Sequence, residues 1–175
     1  MGAKSALTDS DKNWRPTMAT VKVKSQAYRQ FGMTVPYGNT TTLAYGLKTN
    51  ATGAVINSDA TAALAVGDVV DLGPLPEGMR LDDALLVVTA GMTATVTGSL
   101  GFAYEDGADS TDVPQDAAYF GADLDLATAG RVRSTGSKLV KLPKPARLTL
   151  TTAAAANAKA SDINVLVTGE LLGAL

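Results

Sequence analysis

The chain contains no cysteine and no histidine. Without thiols it forms neither disulfides nor thiolate metal centres. Without imidazole it lacks the commonest general base and the commonest zinc ligand. A Ser-His-Asp or Cys-His nucleophile cannot be assembled within it. Aromatic residues make up only 5% of the sequence, and tryptophan occurs once, at Trp14. The stacking walls of a nucleotide or sugar pocket are therefore scarce. Apolar runs are short and broken by Asp or Gly, so no membrane span is expected. The opening MGAKSALTDSDKNWRP has no apolar core of a secretory signal. Gly2 and Ser5 loosely match an acylation pattern, but Ala6 stands where a hydroxyl residue is wanted. Carboxylate, lysine or tyrosine chemistry stays open but needs a positive signal. The expectation is a protein that is not an enzyme and carries no cofactor and no metal.

What is present is light: Ala, Thr, Val, Leu and Gly dominate a chain of 175 residues. That length suits one domain that buries roughly 70% of its unfolded surface. Net charge is −2, but the signs are segregated. Residues 1–50 carry seven Lys/Arg and two Asp, residues 51–130 one Arg and thirteen acids, and residues 131–175 seven Lys/Arg and two acids. One reading is a solvated surface of uneven charge. The other is that basic ends and an acidic middle meet partners of opposite sign, which fixes register and speeds docking. In a symmetric assembly, one copy's basic arm then lies on a neighbour's acidic surface. The basic residues are too dispersed, and the pI near 5.0 too low, to favour nucleic acid.

The local pattern is β throughout. Residues 1–19 read as a flexible polar arm, and residues 20–175 as a single β-sandwich domain. Val21 and Val23 alternate with Lys22 and Lys24, which puts valines and lysines on opposite faces of a strand. Pro36 demotes MTVPY to an edge or bent strand, and TTLAYG ends a further strand at Gly46. Val55 and Ile56 mark one short strand within a turn-rich stretch. ALAVGDVVDLG reads as a strand bent at Gly67-Asp68. PLPEGM reads as a turn, with Gly78 supplying positive φ. RLDDALLVVTA reads as a half-buried strand. After Gly91, Val96, Gly98 and Leu100 alternate with Thr95, Thr97 and Ser99. Residues 105–130 form an acidic loop region, with a short helix expected near residues 117–120. RVRS, SKLVKL, ARLTLTT and DINVLVTGELL are further strands. The alanine-rich spacer before the last is expected to be a long loop or a single helical turn, despite alanine's helix propensity. About nine short strands between Gly/Pro/Asp turns indicate an all-β, jelly-roll-like β-sandwich.

No constellation points to chemistry. Asp82 and Asp83 are neighbours in a strand, so they face opposite ways and form no dyad. Glu105, Asp106, Asp109, Asp112 and Asp116 are calcium-type ligands, but their spacing does not follow the EF-hand loop. A solvated acidic loop is the favoured reading. VTGSLG lacks the Lys-Ser/Thr of a phosphate loop. Trp and Arg are favoured interface anchors. The candidate contact residues are therefore Trp14 and Arg15 on the arm, with Lys22, Lys24 and Arg29 beyond it.

Asp68, Val69, Leu72, Gly73, Leu75, Pro76, Gly78, Leu81, Asp83, Leu85 and Leu86 form a strand–turn–strand pattern within residues 63–104. This quarter of the chain resembles the capsid decoration, or cement, proteins of tailed bacteriophages. Where that pattern has Thr-Val-Gly, this chain has Thr97-Gly98. The resemblance implies a jelly-roll-like domain on the outside of the capsid shell. It implies the major capsid protein as partner, self-association as a homotrimer, and no part for nucleic acid or membrane. The location it implies is the virion exterior, with assembly in the bacterial host cytoplasm. Other head or tail parts, such as a connector or fibre-associated protein, share such hairpins. A carbohydrate- or receptor-binding sandwich is a further alternative.

Overall fold

A computed structural model describes residues 19–24 and 40–173. Among them lie ten strands: β1 (Thr20–Lys22), β2 (Thr40–Thr49), β3 (Val69–Leu75), β4 (Met79–Ala90), β5 (Thr97–Tyr104), β6 (Asp116–Asp125), β7 (Gly130–Arg133), β8 (Val140–Lys141), β9 (Ala146–Ala153) and β10 (Ser161–Leu171). They form two five-stranded sheets. The first runs β1-β3-β9-β5-β6; the second runs β2-β10-β4-β7, with β8 also on β4. The pairs are antiparallel except β1–β3, which is parallel. The protein is thus an all-β, jelly-roll-like sandwich, as its strand spacing predicts. The expected flexible arm, and the bent strand at Pro36, lie outside the described residues.

Period-2 alternation builds the core. On the first sheet Val70, Leu100, Phe102, Leu148 and Leu150 are buried. On the second, Leu43, Tyr45, Leu86, Ile163 and Val165 face them across the sandwich and pack into the same apolar cluster. Each large side chain of this kind stabilises the fold by roughly 1.5–3 kcal/mol relative to exposure. Val21 and Val23 are buried while Lys22 and Lys24 are exposed, as the alternation requires. Gly78 has φ +75° between β3 and β4, a conformation that favours glycine. Pro74 lies within β3 rather than in the turn. Val55 forms only an isolated bridge to Thr49. The alanine-rich spacer contains no helix.

The helix expected near residues 117–120 is absent; these residues belong to β6. Between Leu100↔Gly121 and Phe102↔Asp116 the β6 register slips, so β6 carries extra residues against β5. This bulge lets two consecutive aromatics, Tyr119 and Phe120, both become buried. They meet edge to face at 4.9 Å between ring centroids, and Tyr119 meets Phe102 at 5.5 Å. A Cβ on Gly101 would stand 2.0 Å from the Asp116 carbonyl oxygen, so only glycine permits this approach. Aromatic burial and the β5 ladder therefore outweigh the weak helix propensity of four residues.

The chain after β6 closes one side of the sandwich. Leu126 donates its N–H to Val96 O, and its carbonyl accepts from Met92 N. Ser134 N then bonds Ala84 O in the second sheet, while Thr135 N bonds Phe120 O in the first. Adjacent residues are thus tied to opposite sheets. The Tyr119 hydroxyl joins the same seam, reaching Lys138 O at 2.5 Å and Leu81 O at 3.1 Å.

Candidate interaction surface

Lys22 and Lys24 stand exposed at the β1 edge of the first sheet. That edge is capped rather than open: Lys22 N donates to Asp59 Oδ1 at 2.9 Å, and Lys24 N to Asn57 O at 2.8 Å. The Lys22 backbone, with the cations of Lys22 and Lys24, holds the Asp59 pKa below the ordinary carboxylate range. Trp14, Arg15 and Arg29, the other sequence-predicted contact residues, lie outside the described residues.

The acids of residues 105–116 do not converge. Among the described residues no three acidic side chains gather as metal ligands. Asp106 pairs with Lys144, whose Nζ lies 2.7 Å from Oδ2. That contact lowers the Asp106 pKa. Lys144 also bonds Ala108 O and sits 4.5 Å from the Tyr104 ring centroid, pinning the loop to the sheet. Asp109 Oδ1 accepts from Ser110 N and Gln115 N. The loop is thus fastened by its own acids.

Clefts on the surface are shallow. One of about 330 Å³ lies over the outward face of β1, β3 and β9, lined by Lys22, Val69, Asp71, Tyr104 and Arg147 among others. Its centre is an ion pair that sequence reasoning missed. Arg147 Nε lies 3.0 Å from both Asp71 oxygens, and the Asp71 side chain is only 7% exposed. The partners are 76 positions apart, so no local pattern announces them. Tyrosine hydroxyls point to structure as well. Burial raises the pKa of Tyr45, Tyr104 and Tyr119, and each bonds a backbone carbonyl.

The chain matches no protein-family model, and no curated protein matches it in sequence. Solved structures do match. A chain from the capsid of Ralstonia phage GP4 superposes with a TM-score of 0.62 at 21% identity, covering 87% of this chain and 97% of that one. A chain of the cyanophage Pam1 capsid asymmetric unit superposes with a TM-score of 0.53 at 16% identity, covering 77% and 86%. The sandwich is a fold of phage capsids. Its surface carries ion pairs, with Arg80–Asp82, Arg80–Glu170 and Arg133–Asp83 on the second sheet and Arg147–Asp71 on the first.

The edges of β6 and β7 lie on the side of the sandwich closed by residues 126–140. Asp116, Asp123 and Asp125 are exposed on β6. Arg131 and Arg133 are exposed on β7. Arg133 Nη2 pairs with Asp83 at 2.6 Å, and Asp83 also accepts from Ser134 Oγ and Ala84 N. Burial works against the Asp83 charge, but the bonds from Ser134, Arg133 and Ala84 outweigh it and lower its pKa. A carboxylate with a depressed folded pKa stabilises the fold above its unfolded pKa and loses that contribution as pH falls through the folded value. The β4–β7 tie is therefore expected to hold from pH 7 down to roughly pH 4 and to weaken below it. Hydrogen exchange at the Ser134 amide, bonded to Ala84 O, checks this. Protection that falls instead between pH 7 and 5 contradicts it.

Proposed function

We propose that this protein is a structural component of a tailed-phage virion that binds the outer surface of the capsid and stabilises it by bridging neighbouring capsid subunits. The observation that carries the reading is coverage: the GP4 capsid chain is matched over 97% of its length by 87% of this one. A match of that extent leaves little outside the shared domain on either side. The decoration-protein pattern at residues 63–104 supports the same reading. So does the chemistry of the surface, which offers salt bridges and sheet edges rather than a catalytic cleft.

The proposed partner is the major capsid protein, and the proposed oligomer is a homotrimer on the virion exterior, assembled in the host cytoplasm. A lattice suits weak contacts of this kind, since each docking event raises the effective concentration of the next. Lys22 and Lys24, together with Trp14, Arg15 and Arg29, are the proposed contact residues of the amino-terminal segment.

The test is to mix purified protein with undecorated shells of the phage that encodes it. Saturable binding is expected, with density distributed over the shell lattice in cryo-electron micrographs and a higher melting temperature of the shells. Absence of binding, or density confined to the vertex or tail, overturns the reading.

A further inference from the structure

We propose that copies of this protein join head to tail, the acidic β6 flank of one copy against the basic β7 flank of the next. This contact rests on the self-association proposed above and names its surface. The occupant of each flank is a second copy of this chain.

The argument begins with register. Val132 pairs with Leu86, which is fully buried, so Val132 turns inward. Arg133 pairs with Leu85 and Arg131 with Val87. These two arginines therefore lie on the outward face of the second sheet, beside half-buried Leu85 and Val87. Leu85 pairs in turn with Leu166 of β10, also half-buried. The basic flank thus has an apolar floor with arginines at its margin, the arrangement of an interface centre and rim. Arg131 has no ion-pair partner among the described residues.

The acidic flank faces the other way. Leu124 pairs with Gly98 and is buried, so it turns inward. Asp125 pairs with Thr97 and lies on the outward face of the first sheet. Asp123 beside it is exposed. Asp125 accepts the local N–H groups of Ala127 and Thr128 and the Thr128 side chain, and neither acid has an ion-pair partner among the described residues.

Six residues after Asp125 the chain reaches Arg131. Two stripes of opposite sign therefore border the same side of the sandwich and leave from opposite outward faces. A copy cannot close its acids onto its own arginines across the core. Copies set around a common axis along this side bring one copy's first-sheet flank against the next copy's second-sheet flank. The contact is heterologous and closes into a ring when the rotation allows. Opposite potentials then select the register. In a ring of three, each copy meets one neighbour through its acids and the other through its arginines.

Sedimentation velocity without shells tests this. Wild-type protein is expected to associate at about 50 mM salt and to dissociate progressively towards about 500 mM. Asp123→Lys/Asp125→Lys and Arg131→Glu are each expected to weaken association several-fold or more, with Arg133 left in place because it holds Asp83 of its own copy. Combining Asp123→Lys/Asp125→Lys with Arg131→Glu in one chain is expected to restore it, because the two flanks are again complementary. Asp123 has φ +52°, so Asp123→Asn/Asp125→Asn, which tolerates that backbone, gives a second reading free of strain. It is expected to weaken association several-fold while the fold is kept, since an amide oxygen at position 125 still accepts from Ala127 and Thr128. A monomer at all concentrations overturns both this contact and the self-association reading. An oligomer that ignores every one of these substitutions overturns the contact alone.

Discussion

Replacing Asn157 by Leu is expected to destabilise the protein by about 3 kcal/mol, enough to lower the melting temperature by on the order of 10 °C. Asn157 is 1% exposed and uses its whole amide. Its Nδ2 donates to Thr49 Oγ1 at 3.1 Å and Lys159 O at 2.9 Å. Its Oδ1 accepts from Thr93 N at 3.1 Å and Thr93 Oγ1 at 3.2 Å. Its own N–H bonds Leu64 O. Four separate segments meet on this one side chain and its backbone. Leucine matches the volume but makes none of the side-chain bonds, so the Thr93 N–H is stranded in a half-buried position. Thr93→Val is expected to cost less, about 1 kcal/mol, because Asn157 keeps its other partners. Urea unfolding of the three proteins decides the matter. A loss under about 1 kcal/mol for Asn157→Leu removes the claim that this amide organises the loops.

Nothing in the sequence marks that residue. It stands within an alanine-rich spacer, and its partners are 108 and 64 positions away. What was legible was periodic. Val21 and Val23 against Lys22 and Lys24 predict a strand whose faces the structure reproduces. RLDDALLVVTA predicts a strand that forms, but a register slip at Asp82-Asp83 breaks its alternation and leaves both carboxylates half-buried between inward Leu81 and Ala84 instead of on opposite faces. The turn at Gly78 was legible because φ > 0 selects glycine. β6 was not, because its bulge breaks the alternation on which strand reading depends. Charge was legible only as a sum along the chain. Three acids of the middle segment, Asp116, Asp123 and Asp125, stand together because β6 is an edge strand of the first sheet, and Arg131 and Arg133 stand on β7, an edge of the other sheet. The predicted contacts at Trp14, Arg15 and Arg29 lie outside the described residues.

The ion pair on the outward face of the first sheet makes the second large prediction. Arg147→Met is expected to cost about 3 kcal/mol, since it leaves the buried Asp71 carboxylate without its cation. The pair spans an irregularity: the β3–β9 register slips between Asp71 and Gly73. Asp71 is registered with Thr149, while Arg147 is registered with Pro74 on the far side of the slip. The salt bridge therefore runs diagonally across the bulge and fixes where it sits. Lys22 of β1 is registered with Asp71 as well, so the parallel edge strand leans on the same site. Removing both charges together, as Asp71→Leu/Arg147→Met, exchanges a paired charge for apolar packing. The double variant is expected to be more stable than Arg147→Met alone, with a coupling of roughly 2 kcal/mol between the two sites. Chemical denaturation of the two single variants and the double closes the cycle. Strictly additive losses would mean that the carboxylate is satisfied without Arg147, and the bulge would then owe its position to backbone bonding alone.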